Sequence, residues 1–373
     1  MAKIVVIVVV LFSVAPAFAQ PSYRNSADSQ QPSYIVTGYS IVAWDSITGD
    51  LGVAVISQFL GVGAVAPYAK ANVGALATQG WANTTYGPLG LDLLAEAKTA
   101  QQAVEILIQS DSGASRRQLG IVDAQGNAYA YTGSQCRPWA GQIGGRGYTV
   151  QGNGLTNENI LKTIARMFEV TPGDLSERLL ASLEAGGMAE GGKHENRSAV
   201  LTVVREKGGY SGFNDRFIDI RIDDDPMPLA KLRRMYDVWK ETFLFDARLR
   251  SVDEFNKMKK FSAANEEMKR LVVELNSALR SKPEDPDVLN TVARTLATHD
   301  IDRERALELA KRAVKLAPDK LYIFDTMAEC HFRLGHYDEA IAIEATLVTK
   351  DPSNDAYWRQ LQKFKDAKQA AGH

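Results

Sequence analysis

The sequence predicts an α+β layered sandwich followed by an all-α repeat region. Paired apolar, β-branched runs joined by turns, with helical segments between the pairs, indicate the sandwich rather than a doubly wound parallel sheet. Prolines at 283, 318 and 352 recur at intervals of 35 and 34 residues and indicate the repeats. With 373 residues, 45% of them hydrophobic, the chain is long enough for at least two cores.

The N-terminus has the pattern of an export signal. A short positive start precedes the apolar run "IVVIVVVLFSVAP", and Ala17-Phe18-Ala19 fits signal peptidase cleavage, which predicts a signal peptide over 1–19. The alternative, a membrane anchor, needs roughly 20 apolar residues, which this run lacks. We therefore expect an exported protein, periplasmic or secreted, with no membrane span after signal removal. The polar, turn-rich stretch 20–33 reads as a flexible leader.

Residues 34–228 carry the sandwich pattern. "YSIVAWD" and "LGVAVIS" flank the turn "SITGD", and "QLGIVDAQGNAYAYTG" contains the hairpin turn "DAQGN". "NVGALAT" is a further strand, and "PLGLDLLAEAKTAQQAVEILIQS" has apolar residues at helical spacing. Helices follow near 157–168 and in "LSERLLASLEAG", and the strands "RSAVLTVVRE" and "DRFIDIRIDD" complete the domain.

The remainder of the chain reads as helical. Residues 229–281 have the composition of long amphipathic helices, and we expect them to link and cap the repeat domain over 282–373. "AECHFRLGHYDEAIAIEATLVTKDPSN" matches the tetratricopeptide pattern, with alanines where paired helices approach closely. A short array of this kind has a small concave face, which suits a peptide or protein partner.

Composition and residue spacing argue against nucleic-acid binding, metal binding and a disulfide. Lys plus Arg total 43 against 45 Asp plus Glu, which gives a formal net charge of -2. The sequence has no clustered basic stripe, so we expect no nucleic-acid binding. No Cys/His spacing resembles a metal site, and we expect no metal and no cofactor. Cys136 and Cys330 would join two separate domains if bridged, so two buried free thiols are the favoured interpretation.

Several motifs over about 36–235 together resemble one known family. They are "YSIVAWDSITGDLGVAVISQ", "VGAVAPYAKANVGALATQGWANTTYGPLGLDLL", "RQLGIVDAQGNAYAYTGSQCRPWAG", "YTVQGNGL" and "GFNDRFIDIRIDDDPMPLAKLRR". In order and spacing they are similar to the family catalogued as domain of unknown function 1028, grouped with the Ntn-hydrolase superfamily. The resemblance implies a four-layer αββα sandwich and, less directly, hydrolysis of an amide bond in an unknown small molecule or peptide.

The superfamily's chemistry directs attention to Thr37 and Ser40. There, the first residue of the mature chain supplies a hydroxyl or thiol nucleophile, and its own α-amine, with a pKa near ~7.7–8.0, is the base. For Thr37 this requires a second cut after residue 36. The family usually has Thr in the slot that Gly38 occupies here, so Thr37 is displaced by one residue, which in a strand turns its side chain to the other face unless a bulge restores it.

The family's positive charge after the second strand is also replaced. Its Ser-Lys pair is Ser57-Gln58 in this sequence, and Lys70 is the candidate to supply the missing charge from the next hairpin. Gln151 and Asn153 are predicted to stand in a loop after a strand and before a helix, and the resemblance places this loop beside the nucleophile, where amide groups can hydrogen-bond the α-amine or a substrate carbonyl. The alternative for these two residues is a turn that caps the following helix.

Other polar or aromatic residues near the strand ends are candidates to line a substrate-binding cleft. They are Ser57, Gln79, Asn83, Tyr86 and Trp139. Asn83 is equally consistent with a helix cap and Tyr86 with packing. Two functions stay open at this point: an exported Ntn-type amidohydrolase with Thr37 or Ser40 as nucleophile, or a catalytically silent sandwich that recognises a ligand or partner, since fold does not fix function.

Overall fold

The structure, a computed structural model, describes residues 35–191 and 196–372. The predicted signal peptide and leader lie outside the described residues. The described chain has a mixed α+β domain with two antiparallel sheets, followed by a helical region. No helix among the described residues is long and apolar enough to cross a membrane.

Ten strands form the two sheets. They are β1 Gly38–Trp44, β2 Leu51–Ser57, β3 Pro67–Lys70, β4 Gly74–Gly80, β5 Arg117–Asp123, β6 Ala128–Thr132, β7 Gly141–Gly145, β8 Tyr148–Asn153, β9 Ser198–Val204 and β10 Arg216–Ile222. One sheet has six strands in the order β10-β9-β2-β1-β8-β7, and the other has four in the order β3-β4-β5-β6. The predicted hairpins β1–β2 and β5–β6 are present.

Twelve α-helices complete the described fold. They are α1 Tyr86–Ala95, α2 Ala100–Gln109, α3 Asn159–Val170, α4 Leu175–Glu190, α5 Pro228–Trp239, α6 Phe245–Lys257, α7 Phe261–Ser281, α8 Pro286–Thr298, α9 Arg303–Leu316, α10 Leu321–Arg333, α11 Tyr337–Lys350 and α12 Asp355–Ala370. Helices α3 and α4 pack on the six-stranded sheet, and α1 and α2 pack on the four-stranded sheet. The two sheets face each other across a core that contains Val36, Val42 and Val122.

The helical segment that the sequence predicts after β4 forms two helices, α1 and α2, in the structure. The segment between α1 and α2 breaks at Ala97, whose φ is 62°, and Thr99 then caps α2. The Thr99 side chain accepts from the backbone N–H of Gln102, and the Gln102 side chain accepts in return from the N–H of Thr99. This capping box starts a new helix inside an unbroken apolar pattern.

Helix α5 belongs to the α+β domain by its packing. Leu232 and Tyr236 are buried in the same core as β9, β10 and α4, and Leu244 and Ala247 extend that core into α6. The predicted linker from 229 therefore begins with a helix that covers the sheet, because an amphipathic helix of this length buries its apolar face against the nearest apolar surface.

A buried ionic cluster joins this domain to α6 and α7. We define it as Asp50, Asp174, Arg205, Arg248 and Glu267, whose side chains are at most 6% exposed. Arg205 holds Asp50 through two hydrogen bonds of 2.6 and 2.7 Å and contacts Glu267 at 3.3 Å. Arg248 bridges Glu267 at 2.8 Å and Asp174 at 2.7 Å. Every charge in the cluster thus faces an opposite charge.

The repeat region pairs α8 with α9 and α10 with α11, and α12 packs on α11. The alanines predicted at close approaches, Ala293, Ala306, Ala328 and Ala340, are each 0% exposed. Cys330 is buried among these helices and Cys136 in the α+β domain, and both are free thiols.

Candidate functional site

Four predicted side chains meet between the sheets in what we call the amide cluster: Ser40, Gln79, Gln151 and Asn153, with Gln118 added by the structure. The Ser40 hydroxyl donates to Gln79 Oε1 at 2.6 Å and accepts from Gln151 Nε2 at 2.6 Å. Ser40 is fully buried, as are both glutamines. Alternation along β1 places Ser40 on the face toward the second sheet, so it reaches Gln79 of β4.

Gln118 and Asn153 extend the amide cluster toward the chain's first described residues. Asn153 Nδ2 donates to Gln118 Oε1 at 3.1 Å and to the carbonyl oxygen of Val36 at 3.0 Å. Gln118 Nε2 lies 2.9 Å from the carbonyl oxygen of Gly152. Gln151 and Asn153 therefore act from within β8, where the sequence predicted a loop after it.

Thr37 lies beside the amide cluster and is not hydrogen-bonded to it. Its Oγ1 is 3.4 Å from Gln58 Oε1, and its side chain packs against Gly154. Its backbone nitrogen is in peptide linkage to Val36 and donates to the carbonyl oxygen of Ile35 at 3.0 Å. Thr37 precedes β1 and takes no part in the hydrogen bonds that Ser40 makes with Gln79 and Gln151.

The segment before Thr37 is part of the core. Val36 is 1% exposed and pairs with Gly80 of β4 through two backbone hydrogen bonds of 2.9 and 3.0 Å. Its carbonyl oxygen accepts from both the Gly80 N–H and Asn153 Nδ2, each at 3.0 Å. Two hydrogen-bond donors on one carbonyl oxygen polarise the carbonyl group.

Gly38 stands where the resemblance led us to expect Thr, and its backbone admits no side chain. Its φ is 105°, a conformation that favours glycine. A Cβ at this position would overlap the carbonyl oxygen of Ile56 on the neighbouring strand. No side chain can therefore be placed at position 38 without moving the neighbouring strand.

Ser57 has a structural role at this end of β2. Its hydroxyl donates to the Thr37 carbonyl oxygen and accepts from the Phe59 N–H at 3.0 Å. Ser57 is fully buried and fixes the strand end against the residue that precedes Gly38. This contact satisfies buried backbone groups, so the hydroxyl is not presented to a ligand.

Lys70 is not brought to the site. It ends β3, exposed, and pairs with Gly74 at the start of β4, whereas Val36 pairs with Gly80 at the other end of that strand. Six residues of strand separate the two points by roughly 20 Å. Trp139 is closer: its backbone exchanges two hydrogen bonds with Leu155, and its ring packs on Gly141 at the edge of β7.

Asn83 and Tyr86 belong to a separate cluster around Asp111. Asp111 accepts from Asn83 Nδ2 at 3.1 Å, from the Tyr86 hydroxyl at 2.9 Å and from Arg117 Nε at 2.8 Å. The hydrogen bond from Arg117, and those from Asn83 and Tyr86, hold the pKa of Asp111 well below its usual range. This ionised carboxylate anchors the start of α1, and neither predicted residue reaches the amide cluster.

The side chains of the amide cluster can form hydrogen bonds but cannot act as an acid or a base near neutral pH. Its five members carry only hydroxyl and carboxamide groups, which do not titrate near neutral pH. The buried atoms Gln79 Nε2 and Asn153 Oδ1 have no hydrogen-bond partner among the described residues. Within the described part of the chain, no group of three or more His, Cys, Asp or Glu side chains is placed to hold a metal ion.

The prediction from sequence missed Gln118. It stands in "RQLGIVD", where one polar residue before an apolar run reads as a strand start. Strand alternation was the available signal. Gln118 and Gly120 are two residues apart and therefore lie on the same face of β5, whereas Leu119 lies on the other face.

The fold and site define a protein of two parts. A mixed α+β domain, with the uncharged amide cluster between its sheets, is joined to a helical repeat region. The model of the family described as "Family of unknown function (DUF1028)" matches residues 38–232, more than half of the chain, and the chain belongs to this family. A model described as "Tetratricopeptide repeat" matches residues 302–363. Repeats of this type are protein-binding modules.

One solved structure resembles the α+β domain. The crystal structure of protein SPO2555 from Silicibacter pomeroyi, a DUF1028 protein, is 29% identical with a TM-score of 0.50, covering 55% of this chain and 89% of that chain. The second tetratricopeptide domain of human RPAP3, solved by NMR with an HSP70 peptide, is 19% identical with a TM-score of 0.23, covering 32% of this chain and 92% of that chain. The second likeness is too low to bear on the fold. No curated protein sequence matches this chain.

Proposed function

We propose that this protein is an exported recognition protein, in which a catalytically silent four-layer αββα sandwich of Ntn-hydrolase type is joined to a tetratricopeptide module that binds a peptide or protein. The packing of α3 and α4 on one sheet and of α1 and α2 on the other supports the four-layer assignment. The N-terminal signal pattern supports export.

One observation carries the catalytically silent assignment: the family's nucleophile slot is Gly38. The backbone there has a φ of 105°, and the Ile56 carbonyl oxygen fills the space of a Cβ. A hydroxyl therefore cannot be restored at that slot without moving β2. Thr37, the nearest alternative, would need a cut after Val36, which is a buried core residue paired with Gly80.

A second candidate, the amidohydrolase, has one observation in its favour. The Val36 carbonyl oxygen accepts two hydrogen bonds of 3.0 Å, from Gly80 and Asn153. Such polarisation favours attack on this carbonyl by the Thr37 hydroxyl, in which the Val36–Thr37 peptide bond breaks, an ester forms and the hydroxyl proton passes to the Thr37 nitrogen. Water would then hydrolyse the ester, leaving a carboxylate on Val36 and a free hydroxyl and amine on Thr37. A small-molecule or peptide substrate would then bind beside the amide cluster.

Intact mass and N-terminal sequencing of the native exported protein separate the two candidates. The recognition role predicts a mature chain that starts at Gln20 and retains Val36, with the same mass change on signal removal in Thr37→Ala. A chain that starts at Thr37 in the natural protein, and fails to do so in Thr37→Ala, would overturn the recognition role. Asn153→Ala is the companion variant, because it removes one donor from the Val36 carbonyl.

A further inference from the structure

Two histidine side chains lie against each other at the turn between α10 and α11, in the repeat region. The Nδ1 atoms of His331 and His336 are 3.4 Å apart, and the ring centroids are 5.6 Å apart with the ring planes inclined at 51°. His336 is exposed and His331 is partly exposed, so a solute can reach the two rings from the solvent. We call these two residues the histidine pair.

The backbone of the turn holds the histidine pair together. The His336 N–H donates to the His331 carbonyl oxygen at 3.0 Å, and the Gly335 N–H donates to the Phe332 carbonyl oxygen at 2.9 Å. These two hydrogen bonds form a Schellman motif, in which Gly335 takes the left-handed conformation with a φ of 81°. The end of α10 therefore fixes both histidine backbones, and a ligand held by both rings requires little ordering of the chain.

The protonation of the histidine pair suits a metal ligand. Two ring nitrogens at this distance share at most one proton, so at least one Nδ1 presents a lone pair to the other. Burial, together with the nearby Lys311 and His336, lowers the pKa of His331, while the charge of Glu339 acts in the opposite direction. His331 is therefore neutral at neutral pH, which is the form of imidazole that binds metal ions.

The distance between the two nitrogens fits a tetrahedral ion. Two nitrogens bound to one tetrahedral Zn²⁺ at about 2.0–2.1 Å each stand roughly 3.3–3.4 Å apart. Cu²⁺ prefers ligands at right angles in a plane, which puts two nitrogens at bond lengths of about 2.0 Å only roughly 2.8 Å apart. Mg²⁺ and Ca²⁺ select oxygen ligands rather than imidazole. The observed separation of 3.4 Å therefore favours Zn²⁺.

We propose that the histidine pair binds one Zn²⁺ ion through its two Nδ1 atoms. The proton that lies between the rings moves to the Nε2 atom of its own ring, so both imidazoles stay neutral and both Nδ1 lone pairs face the ion. Water completes the coordination, because no third His, Cys, Asp or Glu among the described residues joins the pair in a metal-binding group. This site is in the repeat region and does not rest on the proposed function.

Isothermal titration of the full-length mature protein, free of any histidine tag, with zinc chloride tests the proposal. We expect binding of one ion per chain and no heat with magnesium chloride. His336→Gln and His331→Gln should each lower the zinc affinity by about tenfold or more, because even the outer partners of metal ligands contribute that much. His299→Gln, at the end of α8 and outside the histidine pair, is the matched control and should leave the affinity unchanged.

Nitrogen-15 NMR of the histidine rings gives a second readout on the natural protein, so a variant that fails to fold leaves the test intact. Zinc should shift the Nδ1 resonances of two imidazoles and leave their Nε2 atoms protonated. Absence of zinc binding at millimolar concentration would overturn the proposal, as would undiminished binding by folded His336→Gln and His331→Gln, which would show an ion bound elsewhere. None of these outcomes bears on the N-terminal residue of the mature chain, which tests the proposed function separately.

Discussion

Two buried polar clusters lie at opposite ends of the six-stranded sheet, and they differ in charge. The amide cluster, at the start of β1, contains only hydroxyl and carboxamide groups. The ionic cluster, beside the turn between β1 and β2, contains arginines and carboxylates that are almost fully buried. About 20 Å of strand separates the two ends. The ionic cluster is therefore placed where this domain meets α6 and α7.

The difference teaches how the two ends are used. The neutral end cannot exchange protons near neutral pH, which is consistent with recognition or with a structural core. At the charged end, Glu267 of α7 faces Arg205 of the sheet domain and Arg248 of α6. Burial alone would raise the pKa of Glu267, and the surrounding arginines lower it instead. These salt bridges thereby connect α6 and α7 to the domain.

The largest expected effect comes from removing the central carboxylate of the ionic cluster. Glu267→Ala leaves Arg205 and Arg248 buried with less compensation, and we expect a loss of about 3–5 kcal/mol in the free energy of unfolding. Urea denaturation measures it. Glu266→Ala, which removes a partly exposed carboxylate paired with Arg270 at 3.2 Å, is the matched control and should cost less than about 1 kcal/mol. Equal costs for the two variants would show that the cluster does not fix the helices.

A smaller effect is expected at the neutral end. Ser40→Ala removes the hydroxyl that both donates to Gln79 and accepts from Gln151, so two buried groups lose their partner. We expect a loss of about 1–3 kcal/mol in the free energy of unfolding, because the groups left behind are uncharged. Ser281→Ala, at the exposed end of α7, is the control and should change stability by less than about 0.5 kcal/mol. A neutral result at Ser40 would indicate that water replaces the hydroxyl.

The neutral end was largely predictable from the sequence and the charged end was not. Ser40, Gln79, Gln151 and Asn153 stand in motifs with recognisable strand patterns, and the resemblance to one family brings those motifs together. Asp50, Arg205 and Glu267 stand in unrelated segments far apart along the chain, and isolated charges in such segments read as surface. Only the packing of α6 and α7 on the domain reveals that they are buried.

Local geometry set the other limits of prediction. The break between α1 and α2 had a readable signal, since Thr99 and Gln102 have the spacing of a capping box, but the apolar period continues across it. The positive φ of Gly38 has no such signal, because a glycine at a strand start is compatible with many conformations. The distance of Lys70 from Thr37 depends on which end of β4 meets Val36, a long-range pairing that hydrophobic patterns do not specify.

A buried carboxylate in the repeat region sharpens the comparison, because two other carboxylates lie near it. Glu344 of α11 is fully buried, and neither of its oxygens has a hydrogen-bond partner among the described residues. Burial, together with the nearby charges of Asp325 and Glu329, raises the pKa of Glu344 to about 8. Unlike Glu267, it is therefore expected to be protonated in the folded protein at neutral pH.

The sign of the pH dependence follows from this raised pKa. A carboxyl whose pKa is higher in the folded than in the unfolded state gives stability that is complete below its ordinary pKa, near 4.5, and is lost as pH rises through about 8. A tenfold difference in proton affinity between the two states is worth about 1.4 kcal/mol, so we expect at least that loss between pH 5 and pH 8 in the natural protein. Glu344→Gln, which is uncharged at every pH, should flatten this slope when unfolding of the repeat helices is followed by circular dichroism. Glu339→Gln, at an exposed position on the same helix, should keep it, and an unchanged slope in Glu344→Gln would assign the pH dependence to another group.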